Sequence, residues 1–227
     1  MTTINRPAGQ HARSLAIAAL VRGTAAGAVA LGSALWSVKA LAHPPFDTLK
    51  IGVPLVVAAL FAGLARSEFI KRSKAAIGSR SERRVAKVVA KLGPDFLCNS
   101  LMIGAGGDAD HTVLGPCVAL IETKTGHGAI RVANGKLHAG QRTIPGDPLA
   151  QARRQAGAIA KITGVSCDAV VCIPDATSRP FVSGGVTICS LGDLPAVLRS
   201  LEDRLSPERA ASIYRRLCDH EASIQPR

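Results

Sequence analysis

Five consecutive apolar residues, Cys117 to Ile121, run directly into Glu122-Thr123-Lys124. An unbroken apolar run of this length, opened by a Gly115-Pro116 turn signal, reads as a strand covered on both faces. Side chains alternate along a strand, so Val118, Leu120, Glu122 and Lys124 share one face. Asp110 lies twelve residues before Glu122. Carboxylates and an ammonium group are costly to desolvate unless they pair with each other or hold a cation. A strand carrying them at its end therefore restricts the fold and the register together.

The residues before Gly115-Pro116 return antiparallel. A hairpin centred on Pro116 sets Asp110 directly opposite Glu122, with β-carbons about 5 Å apart. Centred half a step earlier, it sets Ile121 there instead and separates the acids. Two readings stay open on these residues alone. One is a Glu122–Lys124 ion pair at a frayed strand end, and the other is a cation site built on the hairpin.

The chain of 227 residues has 28 Lys and Arg against 16 acids, a net charge of +12. Such a balance favours polyanionic partners, nucleic acid or an acidic membrane surface. All but five of the basic residues lie beyond residue 65, so the excess belongs to the later part of the chain. One Trp, one Tyr and five Phe are too few for a single-strand binder built on base stacking. The six cysteines show no CxxC or CxxH spacing, which argues against zinc and for buried free thiols in a reducing compartment.

Residues 1–66 differ from the rest and read as a membrane anchor. Apolar stretches at about 14–38 and 47–66 suit a transmembrane helical hairpin, with a short external loop around His43-Pro44-Pro45. A rival reading takes Ala40-Leu41-Ala42 as a signal-peptidase site, and a third buries the pair in a soluble protein. Nine Lys and Arg from Arg66 to Lys91 mark a cytoplasmic flank, placing the following domain on the cytoplasmic side of the inner membrane.

Residues 67–79 read as a basic juxtamembrane connector. From Ser81, Val85, Val88, Val89 and Leu92 recur at helical spacing until Gly93-Pro94, with Glu82 in the first turn. Phe96 to Ile103 is a strand. The Gly104–Asp108 turn is no phosphate loop, since no Gly-Lys-Ser/Thr follows, and no nucleotide cofactor is expected. Asn134-Gly135 predicts a hairpin turn. Asp147-Pro148 predicts a helix to about Thr163, with Gln151, Arg154 and Gln155 on one side. Strands at 168–174 and 185–190 follow, then helices near 192–204 and 206–219. The expectation is an α/β fold, a mixed β-sheet flanked by helices, over residues 80–195 with a helical extension at 196–227.

In this order the residues resemble a nuclease-related domain (NERD), a branch of the PD-(D/E)XK nuclease-like superfamily. The resemblance is carried by Ser81-Glu82, Ala109-Asp110-His111, Gly115-Pro116, Leu120-Ile121-Glu122-Thr123-Lys124, Gly128-Ala129-Ile130 and Asp147-Pro148-Leu149-Ala150-Gln151, over roughly residues 78–195. Ser81 replaces a family Gly and Asp147 a family Asn, departures at helix ends.

The resemblance implies a restriction-endonuclease-like core and Mg²⁺- or Mn²⁺-dependent hydrolysis of nucleic acid, DNA ahead of RNA. Asp110, Glu122 and the Thr123 carbonyl would hold the metal. Lys124, Glu82 and Gln151 would serve catalysis, while Arg153 and Arg154 would bind flanking phosphates. His111, on the other strand face, is structural. The alternatives are a catalytically silent module binding nucleic acid or a lipid bilayer, and an adaptor whose helices pair through Gly23, Gly27, Gly32 and Ala34.

Overall fold

Apolar helix pairs and alternating strands build separate parts of this chain. The computed structural model describes residues 3–4, 8, 10–42, 48–104, 107–115, 117–201 and 205–224. The chain divides into two units, His11–Ile77 and a second made of Met1–Gln10 with Gly78–Arg227. The expected loop at His43-Pro44-Pro45, and Pro116 itself, lie outside the described residues.

Helix α1 (Gln10–Leu41) and the first part of α2 (Thr48–Lys91) make up the first unit. Both are long and apolar enough to cross a bilayer. Their outward side chains are apolar and exposed, Trp36, Leu31 and Leu60 among them. Arg22, which interrupts the first apolar run, donates from Nε to Oε2 of Glu68 at 2.9 Å. Ser37 Oγ reaches the carbonyl of Ile51 at 3.3 Å. Contacts that pair 22 with 68 and 37 with 51 make the helices antiparallel. The stretch 67–79, expected as a connector, is helical and continuous with α2. It is rich in Ala, Lys and Ser with one Gly and no Pro, so nothing in it breaks a helix.

In the second unit a mixed sheet carries the architecture. Its strands are β1 (Thr3–Ile4), β2 (Phe96–Met102), β3 (Asp108–Leu114), β4 (Val118–Thr123), β9 (Asp168–Ile173), β11 (Phe181–Ser183) and β12 (Val186–Ser190), in the order β1-β2-β3-β4-β9-β12-β11. Strands β2, β3 and β4 run antiparallel, whereas β4, β9 and β12 are parallel. The parallel step from β4 to β9 requires a crossover, which α3 (Pro148–Thr163) supplies. Three short strands, β6 (Ile130–Ala133), β7 (Lys136–Ala139) and β8 (Arg142–Thr143), form a meander within that crossover. Asn134 and Gly135 turn it at φ 51° and 69°, the left-handed pair that the Asn-Gly signal predicts. Strands β5 (His127–Gly128) and β10 (Asp175–Ala176) pair separately.

Alternation along the central strands feeds two cores. Val118 and Leu120 of β4 join Val171 and Ile188 under Leu149, Ala152, Ala156 and Ile159 of α3 and Leu217 of α5 (Pro207–Ile224). Ala119 and Ile121 face the other way, with Val170, Cys172 and Cys189. Val85 and Val89 of α2 and Leu194 of α4 (Leu194–Arg199) cover them. The expected mixed α/β sheet is thus present, with helices on both faces. All six cysteines are free, and Cys98, Cys117, Cys172 and Cys189 are buried. Helix α4 is shorter than the expected 192–204, and α5 runs past 219.

Candidate functional site

The β3–β4 ladder pairs Leu114 with Val118, Val113 with Ala119, Thr112 with Leu120 and His111 with Ile121. This is the register centred on position 116. Continued one step, it sets Asp110 opposite Glu122 on the face that α3 covers. Oδ2 of Asp110 accepts the backbone N–H of Thr123 at 2.7 Å, which fixes one carboxylate across the hairpin. Glu122 is 1 % exposed. Its Oε1 lies 2.6 Å from Nζ of Lys124, and its Oε2 is buried without a hydrogen-bond partner.

Helix α3 brings the next side chain. Asp147 caps it, accepting from Ala150 N–H at 2.9 Å, with Pro148 in the first turn. Gly164 ends it at φ 71°. This placement puts Gln151 over the end of β4, where its Oε1 accepts from Lys124 Nζ at 3.1 Å. Lys124 itself is held in the sheet by its N–H, which donates to the Cys172 carbonyl at 2.9 Å.

Electrostatics tie in a third acid. Burial pushes the Asp110 carboxyl well above the usual carboxylate range, and the charges of Glu122 and then Glu82 add to the push. Thr123 N–H and Lys124 oppose it. Burial also raises Glu122, against the pull of Lys124, Gln155 and Gln151. One lysine therefore faces a group of acids whose burial and mutual repulsion it does not cancel.

Whether the residues suit a divalent ion follows from their donors. Among the described residues, no three His, Cys, Asp or Glu side chains form a ready-made cage. Mg²⁺ does not need one, since it keeps several waters and takes one or two carboxylates. The orphaned Oε2 of Glu122 is a hard oxygen donor, and the Asp110 carboxylate supplies a second across the hairpin. The donor set fits.

Arg153 and His111 are engaged elsewhere. Nη1 of Arg153 donates to the Gly184 carbonyl at 2.9 Å, so this guanidinium is tied to the β11–β12 turn. Arg154, the next residue on α3, is exposed. Nδ1 of His111 meets Oδ1 of Asn99 at 2.7 Å in the interior, the structural placement expected of it.

Two features escaped the sequence reading. Gln155, 1 % exposed, donates from Nε2 to the Asp108 carbonyl at 2.7 Å and helps hold down Glu122. Its position one turn after Gln151 was the available signal. Ser100 adopts φ 50°, and the β2–β3 ladder skips it between the Asn99–His111 and Leu101–Ala109 pairs, at the level of Asp110. Left-handed serine stores local strain, and no sequence signal marks it.

A family model described as nuclease-related domain (NERD) matches residues 77–174. Over that span the chain is similar to nuclease-related domains. Comparison with curated proteins and with solved structures gave no match. The matched span of the nuclease-related domain takes in Glu82, Asp110, Glu122, Lys124, Gln151 and Gln155. It stops short of the expected 195, so β10, β11, β12, α4 and α5 follow outside the span.

Proposed function

We propose that the protein is a membrane-anchored, divalent-metal-dependent nuclease. The observation that carries this reading is the meeting of Asp110, Glu122, Lys124 and Gln151 at one end of the sheet, with a buried Glu122 oxygen left unpartnered. Asp110, Glu122 and the Thr123 carbonyl would hold Mg²⁺ or Mn²⁺. When bound, such an ion neutralises phosphate charge and lowers the pKa of a coordinated water.

The protein's own groups do the rest. Lys124 Nζ has three N–H bonds, and Glu122 and Gln151 account for two. The third is available to orient a nucleophilic water or to meet a non-bridging phosphate oxygen as charge grows there. Gln151 holds the ammonium in place. Glu82 adds negative charge beside Asp110 and strengthens the demand for a cation. Arg154 supplies an exposed cation on α3 for a flanking phosphate, DNA being the preferred substrate.

Helices α1 and α2 support the anchor. From Gly23 to Leu41 and from Ile51 to Ser67 each helix covers roughly 25–29 Å at 1.5 Å per residue, near the thickness of a hydrocarbon core. The Arg22–Glu68 pair then lies at the level where both helices leave the bilayer, on the side carrying the basic flank. We place the domain on the cytoplasmic side of the inner membrane.

Cleavage of labelled DNA and RNA by the full chain in nanodiscs, with Mg²⁺ or Mn²⁺, tests the reading. Metal-dependent cleavage that disappears in Lys124→Ala supports it. Binding without cleavage across the panel would assign the fold to a silent binding module instead.

A further inference from the structure

A carboxamide buried in a sheet–helix interface needs partners for two N–H groups and for its oxygen. Gln155 has one N–H filled. Nε2 donates to the carbonyl of Asp108 at 2.7 Å, and the amide also lies against the Glu122 carboxylate. The Asp108 carbonyl can only accept, so the amide cannot be flipped without setting two oxygens against each other. One N–H thus faces Asp108, and the amide as a whole lowers the pKa of the acid it lies against, Glu122. The amide oxygen is buried without a partner.

Such an orphan is destabilising relative to a satisfied group, and an apolar side chain would pack here without it. A local cost of this kind is expected where a side chain serves a site. The carbonyl that Gln155 meets and the carboxylate whose acidity it tunes belong to the two halves of the hairpin. Asp108 opens β3 two residues before Asp110, and Glu122 closes β4.

We infer that Gln155 is a positioning residue for the cation site: it ties the start of β3 to the Glu122 carboxylate and so sets how the two candidate ligands face each other. The inference rests on the metal-binding reading above. Length and chemistry both matter. Asn is one methylene too short to span both groups, Met fills the space without donating, and neither carries charge into the site.

The test is Mn²⁺ affinity of the full chain in nanodiscs, by titration calorimetry, for wild type, Gln155→Met and Gln155→Asn. Thermal unfolding of the metal-free proteins serves as the fold control. Losing an outer-shell partner of a metal ligand weakens metal binding about 10–100-fold, and that loss is expected in any variant whose fold is retained. Wild-type affinity in either folded variant would overturn the positioning role and leave the site reading standing. Absence of Mn²⁺ binding by the wild type would remove the site reading itself, and this inference with it. Failure of both variants to fold would make Gln155 a core residue and also overturn the role.

Discussion

Glu122 and Lys124, two residues apart on one strand face, meet at 2.6 Å with the carboxylate buried and the ammonium half-buried. The ion pair and the cation site, which the sequence leaves as alternatives, share the same atoms. Lys124 takes Oε1 and leaves Oε2 open.

Removing the lysine separates these roles. Lys124→Met should abolish metal-dependent cleavage and destabilise the fold by roughly 3 kcal/mol, the usual scale for stranding one partner of a buried pair. Adding Glu122→Gln should restore most of that stability without restoring cleavage. Urea unfolding of the single and double variants measures the coupling.

Divalent metal should stabilise the protein. At a hundred times the dissociation constant, binding contributes about 2.7 kcal/mol, which raises Tm by roughly 5–10 °C for a chain of this size. Asp110→Asn and Glu122→Gln should lose the shift. Thermal unfolding with Mn²⁺ or with a chelator checks it.

Without metal, the acids set a pH dependence of known sign. Asp110 and Glu122 have folded pKa values above their unfolded ones, so the folded state holds more protons in that window. Their effect is to lose stability as pH rises through the raised values. Asp110→Asn keeps the acceptor for Thr123 N–H and removes a charge. It should raise the metal-free Tm near pH 7 by about 2–4 °C, on the order of 1 kcal/mol.

His111 acts in the opposite sense. Burial lowers its pKa to about 3, so the folded state excludes a proton that the unfolded chain takes up. Its contribution is complete above the ordinary histidine range and is lost as pH falls from about 6.5 toward 3, at up to about 1.4 kcal/mol per pH unit. In Asp110→Asn this acid slope should stand out with less opposition. In His111→Gln it should flatten. Chelator-treated protein unfolded at several pH values separates them.

Gly126 lies two residues past Lys124 with no room for a side chain. A β-carbon there would stand 2.6 Å from that of Ala139 and 3.3 Å from Cγ2 of Ile173. Gly126→Ala should destabilise the fold by about 1–3 kcal/mol through overpacking. It should also weaken cleavage by displacing the strand end that carries Lys124. Chemical unfolding alongside an activity assay tests both parts.

Much of the site was legible because its signals are local. Gly115-Pro116 and the period of two along β4 narrowed the register to two choices, and the ladder takes the one centred on position 116, which pairs His111 with Ile121. Asp147-Pro148 marks the start of α3, and its 3.6-residue period puts Gln151 and Gln155 on one side. Other features depend on partners far along the chain. Gln155 lies 47 positions from the Asp108 carbonyl it meets, and Arg153 is drawn to Gly184, 31 residues on. Residues 67–79 read as a connector because their charge hides an uninterrupted helical propensity.

The apolar hairpin strands, the start of α3 and two apolar segments of bilayer length follow from the sequence by itself, since each depends on neighbours within a few turns or one tight reversal. Only the tertiary structure decided which polar side chains share the buried face of β4 and which oxygen remains without a donor. Those outcomes depend on how α3 settles across the sheet, where desolvation and hydrogen bonding between distant residues outweigh local preference.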